Sequence, residues 1–135
     1  MATWSRTKLN PVIIAAGCAF LMASAQALQA EEAPYKVEGK KVDSATFKGY
    51  QTYKRQRCET CHGQTAEGSA AFPNLLTALK TKTQDEFKTV VLEGRNAMPA
   101  HKNNKAVVDN IDGLYAYLKG RSDGAIPAGE LEELK

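Results

Sequence analysis

Cys58-Glu59-Thr60-Cys61-His62 sets two thiols three positions apart and an imidazole directly after the second. On one turn of backbone, such a pair can add to two neighbouring vinyl groups of a single porphyrin. The next residue then offers a ring nitrogen to the iron. C-x-x-C-H is the attachment signature of c-type haem. Other uses of these residue types fit less well. A zinc site takes about four ligands. Beyond residue 30 the only Cys and His ligands are Cys58, Cys61, His62 and His101, and the adjacent Cys61 and His62 are hard to seat on one tetrahedron. A thioredoxin-like dithiol needs a βαβ setting, and no alternating strand pattern is present. A plain disulfide leaves His62 without a role.

In this reading His62 fills one axial position of the iron. For the opposite side, Met98 is the only methionine beyond residue 30. It sits in Gly94-Arg95-Asn96-Ala97-Met98-Pro99-Ala100, a stretch with no helical face for a core-filling methionine to serve. Thioether and imidazole are both recognised haem ligands, so Met98 and His101 are the two candidates. Met98 is preferred, because a methionine in such a loop is poorly explained as core packing, and Pro99 would stiffen the loop that presents it; His101 reads rather as a surface residue.

These residues lie in or beside two loops, and helices must hold the loops in place. Asp43 or Ser44 caps a helix running to Arg57, with Phe47, Tyr50 and Tyr53 at three-residue spacing. Residues 63–73, with Gly63, Gly68 and Pro73, read as the first loop. Asn74 caps a short helix over Leu75–Thr81. Thr83 and Glu86 form a capping box that opens a helix with Phe87, Val90 and Val91 inward, stopped by Gly94. Residues 95–104 are the second loop. A last helix spans Lys105–Lys119, with Val107, Ile111, Leu114 and Leu118 on one face and Gly120 as terminator. The expectation is an all-α fold of short helices. Two loops of this length in so small a domain imply that they do a job.

Length and charge bound the rest. The 135 residues allow one domain and exclude large two-domain enzyme folds. Residues 1–30 hold Arg6 and Lys8, an unbroken apolar run over Val12–Ala23 and the A-x-A triplet Ala25-Gln26-Ala27, the layout of an export signal cleaved after Ala27 or Ala30. The apolar run is short for a membrane span. Without Arg6 and Lys8 the 18 basic residues fall to 16 against 15 acidic ones, a balance of +1 that gives no electrostatic reason to expect nucleic-acid binding. The remaining order is a polar leader over 31–42, a domain over 43–121 and an acidic tail over 122–135, with Glu130, Glu132 and Glu133, expected to be mobile. A domain this small is often only marginally stable and gains from a large apolar guest at its centre. Lys36, Lys40, Lys41, Lys48, Lys54, Arg55 and Arg57 against Glu38 and Asp43 read as an ordinary solvated face, with docking to an acidic partner as the second reading.

Over roughly Ser44 to Gly120 the chain resembles the class I, mitochondrial-like monohaem cytochromes c. The resemblance rests on Cys58, Cys61 and His62, on Pro73-Asn74-Leu75, on Met98-Pro99 and on the terminal helix pair. It implies a cytochrome c-like fold around one haem c, covalent through Cys58 and Cys61, with His62 and Met98 on the iron and with Pro73 and Leu75 in the cofactor site. The Pro73 carbonyl would accept from the His62 ring, fixing it as second-sphere partners do. Gly49 and Tyr53 would cross Leu114 and Tyr117. One departure stands out: four residues separate Tyr53 from Cys58, where the family more often has three. Asn110–Ala125 is similar to the C-terminal region of the c-L and c550 types, bacterial acceptors of electrons from quinoprotein alcohol dehydrogenases that use pyrroloquinoline quinone. The implied function is a periplasmic single-electron carrier rather than an enzyme. Its donor would be such a dehydrogenase and its acceptor a terminal oxidase or another cytochrome. It would need no nucleic acid and no stable membrane insertion once the signal is removed. The alternatives are a haem enzyme or gas-binding protein with an open sixth site, and a haem subunit held in a dehydrogenase complex.

Overall fold

The computed structural model describes residues 32–135; the segment read as an export signal lies outside them. The elements run β1 (Val37–Glu38), β2 (Lys41–Val42), α1 (Ser44–Arg55), α2 (Glu59–His62), α3 (Leu75–Ala78), α4 (Gln84–Glu93), α5 (Lys105–Asp109), α6 (Ile111–Ser122) and β3 (Glu132–Glu133). The fold is mostly helical, with one small sheet in the order β1-β2-β3.

Asp43 starts α1 and ties the leader to it. Its carboxylate accepts from Thr46 N at 3.1 Å, Thr46 Oγ1 at 2.7 Å and Lys36 N at 2.8 Å. Burial works against ionisation of Asp43, but these donors outweigh it and hold its carboxyl below the usual value. At its far end α1 stops without a glycine. Arg57 takes φ 58°, Cys58 N donates to Tyr53 O at 3.0 Å and Arg57 N to Lys54 O at 3.0 Å. This 6→1 and 5→2 pair is a Schellman ending. It absorbs the extra residue between Tyr53 and Cys58, so Tyr53 keeps its buried place.

Helices α1 and α6 cross at two glycines. A Cβ on Gly49 would lie 1.9 Å from the Gly113 carbonyl oxygen, and one on Gly113 would lie 2.1 Å from the Ala45 carbonyl oxygen. Backbone therefore meets backbone, and a mid-helix glycine, worth about 1 kcal/mol less than alanine, is required on both sides. The crossing sets Tyr53 and Tyr117 with ring centroids 5.7 Å apart, and Tyr50 and Tyr117 5.4 Å apart. Leu114 and Leu118, on the same helix as Tyr117, are buried as well.

Helix α1 ends at Arg55 rather than Arg57, and the structure differs from the sequence expectation in four further places. The single helix over Lys105–Lys119 is two helices, broken at Asn110, whose φ of −118° is not helical and whose Nδ2 donates to Ala106 O at 2.9 Å. Gly120 does not end α6, which continues to Ser122. Gly120 is small because a Cβ there would meet Ile126 Cδ1 at 2.4 Å. The helix after Asn74 ends at Ala78 rather than Thr81. The acidic tail is packed instead of loose: Ile126 and Leu131 are buried, and β3 runs parallel to β2, with Lys41 opposite Glu132. Tyr50 Oη donates to Glu130 Oε2 at 2.7 Å, and Lys54 Nζ donates to Glu130 Oε1 at 2.7 Å. Two-residue strands are too short to show the period-2 alternation by which a strand is read from sequence.

Candidate functional site

Helix α2 is a single turn that carries the C-x-x-C-H run. His62 N donates to Cys58 O at 3.0 Å, so the first sulfur and the imidazole belong to the same turn. Cys58 is half-buried and Cys61 exposed, and no disulfide joins them. Burial pushes the Cys58 thiol up from its ordinary value.

His62 is buried, at 8% exposure. Its Nδ1 lies 3.2 Å from the Pro73 carbonyl oxygen. With the proton on Nδ1 donated to that carbonyl, Nε2 keeps its lone pair and the ring is fixed in one tautomer, the condition for a neutral imidazole ligand. The loop that brings Pro73 back is itself pinned. Gly68 N donates to His62 O at 2.7 Å and Leu75 N to Ala66 O at 3.0 Å. Tyr53 Oη donates to Gly63 O at 2.6 Å. Arg121, buried on α6, grips the same loop: its Nη2 donates to Thr65 O at 3.0 Å and its Nη1 to Ile126 O at 2.9 Å.

On the other side, the capping box at Thr83 starts α4, as the sequence requires. Gly94 ends it at φ 77°, where a Cβ would meet Met98 O at 2.7 Å. The chain then folds back on itself. Arg95 N donates to Met98 O at 3.1 Å and Met98 N to Arg95 O at 2.9 Å, across Asn96 at φ 54°. This tight turn holds Met98 half-buried, while Pro99 and Ala100 are exposed.

Between these walls lie two cavities, of about 70 Å³ and about 540 Å³. They share Cys58, His62, Leu75, Ala78, Lys82, Val90, Met98 and His101 in their linings, so they adjoin. The smaller part is bounded by Tyr53, Phe87, Val91, Val107, Leu114 and Leu118, with Lys82 also on its wall. The larger part adds Cys61, Pro73 and Pro99. Cys58, Cys61, His62, Pro73, Leu75 and Met98 are thus all on the wall of one cavity, and His101 is there too. Among the described residues, no group of three or more His, Cys, Asp or Glu side chains is gathered as for a bare metal ion. An apolar chamber with two thiols, an oriented imidazole and a thioether on its wall suits a flat apolar macrocycle with its own metal: the thiols can anchor its edge, and nitrogen and sulfur can approach its centre.

Of the charged residues at the mouth, the sequence brings out only Arg57, as the end of the basic stretch with docking as its second reading. Arg57, Lys82 and Arg95 line the larger cavity, and no Asp or Glu does. Around them the surface is apolar and exposed at Ala71, Phe72, Pro73, Ala97 and Pro99, with Phe72 38% exposed. Gly113 carries a local signal, a second mid-helix glycine to answer Gly49. Arg121 carries none, since an arginine near a helix end ordinarily reads as solvated.

Residues 44–118 match the family described as cytochrome c oxidase, cbb3-type, subunit III. The chain is 65% identical over 92 residues to cytochrome c-555 of Methylococcus capsulatus, covering 68% of this chain and 75% of that one. It is similar to the crystal structure of the c-type cytochrome XoxG from Methylobacterium extorquens AM1. That likeness has a TM-score of 0.68 at 34% identity, over 75% of this chain and 67% of the other. A 94-residue stretch is 35% identical to part of the dehydrogenase subunit of the quinone-type alcohol dehydrogenase of Acetobacter aceti, over 67% of this chain but 12% of that subunit.

Proposed function

The chain belongs to the class I monohaem cytochromes c, and from that membership we propose that it works in the periplasm as a carrier reduced by a quinoprotein alcohol dehydrogenase and oxidised by a terminal oxidase or another cytochrome. Its general task is electron transfer, and haem c is held as thioethers of Cys58 and Cys61. The bound group supplies a one-electron Fe(II)/Fe(III) couple; the protein supplies everything that tunes and exposes it.

The observation that carries the reading is that His62 and Met98 share the wall of one apolar cavity. We assign His62 and Met98 as the residues that would ligate the haem iron, Pro73 as the carbonyl that orients His62, and Leu75 as an apolar wall residue. Two such ligands on separate elements would leave substrate no site on the metal, and so would favour outer-sphere transfer over substrate chemistry. Thioether ligation and an apolar chamber both favour the reduced state. His101 is then a neighbour of the site rather than a ligand. The export signal at 1–30 delivers the chain to an oxidising compartment, where covalent attachment keeps the cofactor from being lost. Among the described residues, no helix is long and apolar enough to cross a membrane.

The mouth suggests how the donor docks. A small apolar patch around Phe72, rimmed by Arg57, Lys82 and Arg95, fits a partner with an acidic rim around its own electron exit. Such encounters are small and weak, with charge setting the approach rate more than the affinity. Similarity to a stretch of a quinone-type alcohol dehydrogenase subunit supports a donor of that class.

The test uses protein made in cells that mature c-type haem. The ferric form should show the weak near-infrared methionine–iron band, and Met98→Ala should abolish it. Mixed with a quinoprotein alcohol dehydrogenase and its alcohol, the ferric protein should be reduced within the enzyme's turnover time. A ferric protein that is high-spin and responds to added peroxide or carbon monoxide removes the carrier assignment. Rapid exchange with an oxidase but none with any such dehydrogenase removes the donor.

A further inference from the structure

We propose that the hydrogen bond between Gln56 and Asn104 is a clasp that holds the Met98 loop shut over the haem site, making these two amides positioning residues for the axial sulfur. The inference rests on the assignment of Met98 as ligand made above.

The Met98 loop is otherwise tied back to its own wall. His101 N donates to Val91 O at 3.1 Å and Lys102 N to Leu92 O at 3.1 Å, both on α4. Lys102 Nζ pairs with Glu93 Oε2 at 2.8 Å. These bonds fix the loop to α4 but do not fix its distance from the turn that carries the thiols. Among the described residues, the hydrogen bond that spans the two walls runs from Asn104 Nδ2 to Gln56 Oε1, at 2.7 Å and partly buried. Gln56 closes α1 two residues before Cys58 and lines the larger cavity. Asn104 opens α5 three residues after His101, which lines both cavities. The bond therefore joins the attachment side to the methionine side at the point where the loop ends.

The residue types carry the rest of the argument. A helix N-cap needs only a side-chain oxygen, and Ser, Thr or Asp would serve. Asn104 Oδ1 does that work, accepting from Ala106 N at 3.1 Å and Val107 N at 3.3 Å. Its Nδ2 is surplus to capping, and it is the atom placed on Gln56. One amide thus starts α5 and closes the cavity at once.

The design of the test follows from amide chemistry. Gln56→Glu still faces the Asn104 donor with an acceptor. Asn104→Asp keeps the cap, and the Gln56 amide can turn its nitrogen toward the new carboxylate. The double variant has acceptors only and sets two carboxylates face to face. With haem-loaded ferric protein, the rate of imidazole binding to the iron reports how often the methionine loop opens. It is read beside the near-infrared methionine band and the denaturant midpoint. Each single variant should bind imidazole within about twofold of the parent, and the double variant about tenfold faster or more, its band weakened. A double variant that binds at the parent rate with its band intact overturns the clasp. So does a faster rate matched by an equivalent fall in global stability, since that would be unfolding rather than loop opening. A parent protein with no methionine band overturns the ligand assignment, and the clasp falls with it; that failure is distinct, because it appears before any variant is made.

Discussion

Replacing Gly49 by alanine tests whether the α1–α6 crossing is as close as it is drawn. The new methyl would sit 1.9 Å from the Gly113 carbonyl oxygen, 2.1 Å from its carbon and 2.5 Å from Leu114 N. Ordinary contact is about 3.5 Å, so the helices would have to part by roughly 1.5 Å. All three obstructing atoms are backbone, and no rotamer change relieves them. Overpacking costs about 1–3 kcal/mol, and this site belongs at the upper end or beyond. Alanine returns about 1 kcal/mol of helix propensity, leaving a net loss of about 2 kcal/mol or more. For a domain of this size that lowers Tm by about 8–16 °C. The assay is thermal unfolding of the haem-loaded protein by far-ultraviolet circular dichroism. Gly124→Ala is the comparator: φ there is 76° and nothing lies within 4 Å of the added carbon, so it isolates backbone strain, about 1 kcal/mol. The crossing also carries Tyr53, Leu114 and Leu118 into the smaller cavity, so Gly49→Ala should weaken the methionine band, whereas Gly124→Ala should not. A Gly49→Ala protein that melts no lower than Gly124→Ala would refute backbone-to-backbone contact as the reason for the glycine.

Three further outcomes are expected. Arg121→Met removes the donors to the Thr65 and Ile126 carbonyls and should lower denaturant stability by about 2–3 kcal/mol, with the loop after His62 losing amide-exchange protection. Glu130 is held below its usual carboxylate value by the hydrogen bond from Lys54, then by that from Tyr50. A depressed folded pKa means the contribution is fully present above the unfolded value of 4.5 and is lost as pH falls through the folded one. Amide protection at Glu132 and Leu134, taken relative to the intrinsic exchange rate at each pH, should therefore fall below about pH 4.5, since their N–H groups bond Lys40 O and Val42 O, and that pH step should be lost in Glu130→Gln. Arg95→Glu reverses one charge at the mouth, and should slow reduction by the dehydrogenase and flatten its salt dependence while leaving the optical spectrum unchanged. An unchanged rate would place docking on another face.

What the sequence reveals here depends on how far apart the interacting residues lie. The attachment motif occupies five consecutive positions, and its chemistry is local. Met98 stands out because it is the only methionine past residue 30. The cap at Asp43 and the box at Thr83–Glu86 are three-residue signals, and both helices begin where those residues place them. Gly49 is legible as a residue needing a reason, but the atom it avoids is on Gly113, more than sixty positions on.

Signals fail where the partner is remote or the local rule has a second solution. Helix ends of the Schellman type usually take glycine, and α1 uses Arg57 at φ 58° instead, so the turn before Cys58 could not be read from composition. The tail looked like solvated acid because Glu130, Glu132 and Glu133 dominate it, yet Ile126 and Leu131 were its informative residues: two apolar side chains in such a segment need a place to go, and both are buried. Arg121 and the Gln56–Asn104 pair are the hardest cases. Their partners are 56 and 48 positions away, and each residue type is ordinary where it stands. The residues proposed here as ligands stand out in the chain, but what fixes the distance between them does not, because that distance is set by contacts closed only when the chain has folded. The rigidity on which fast electron exchange depends therefore lies in the part of the site that sequence reading is least able to see.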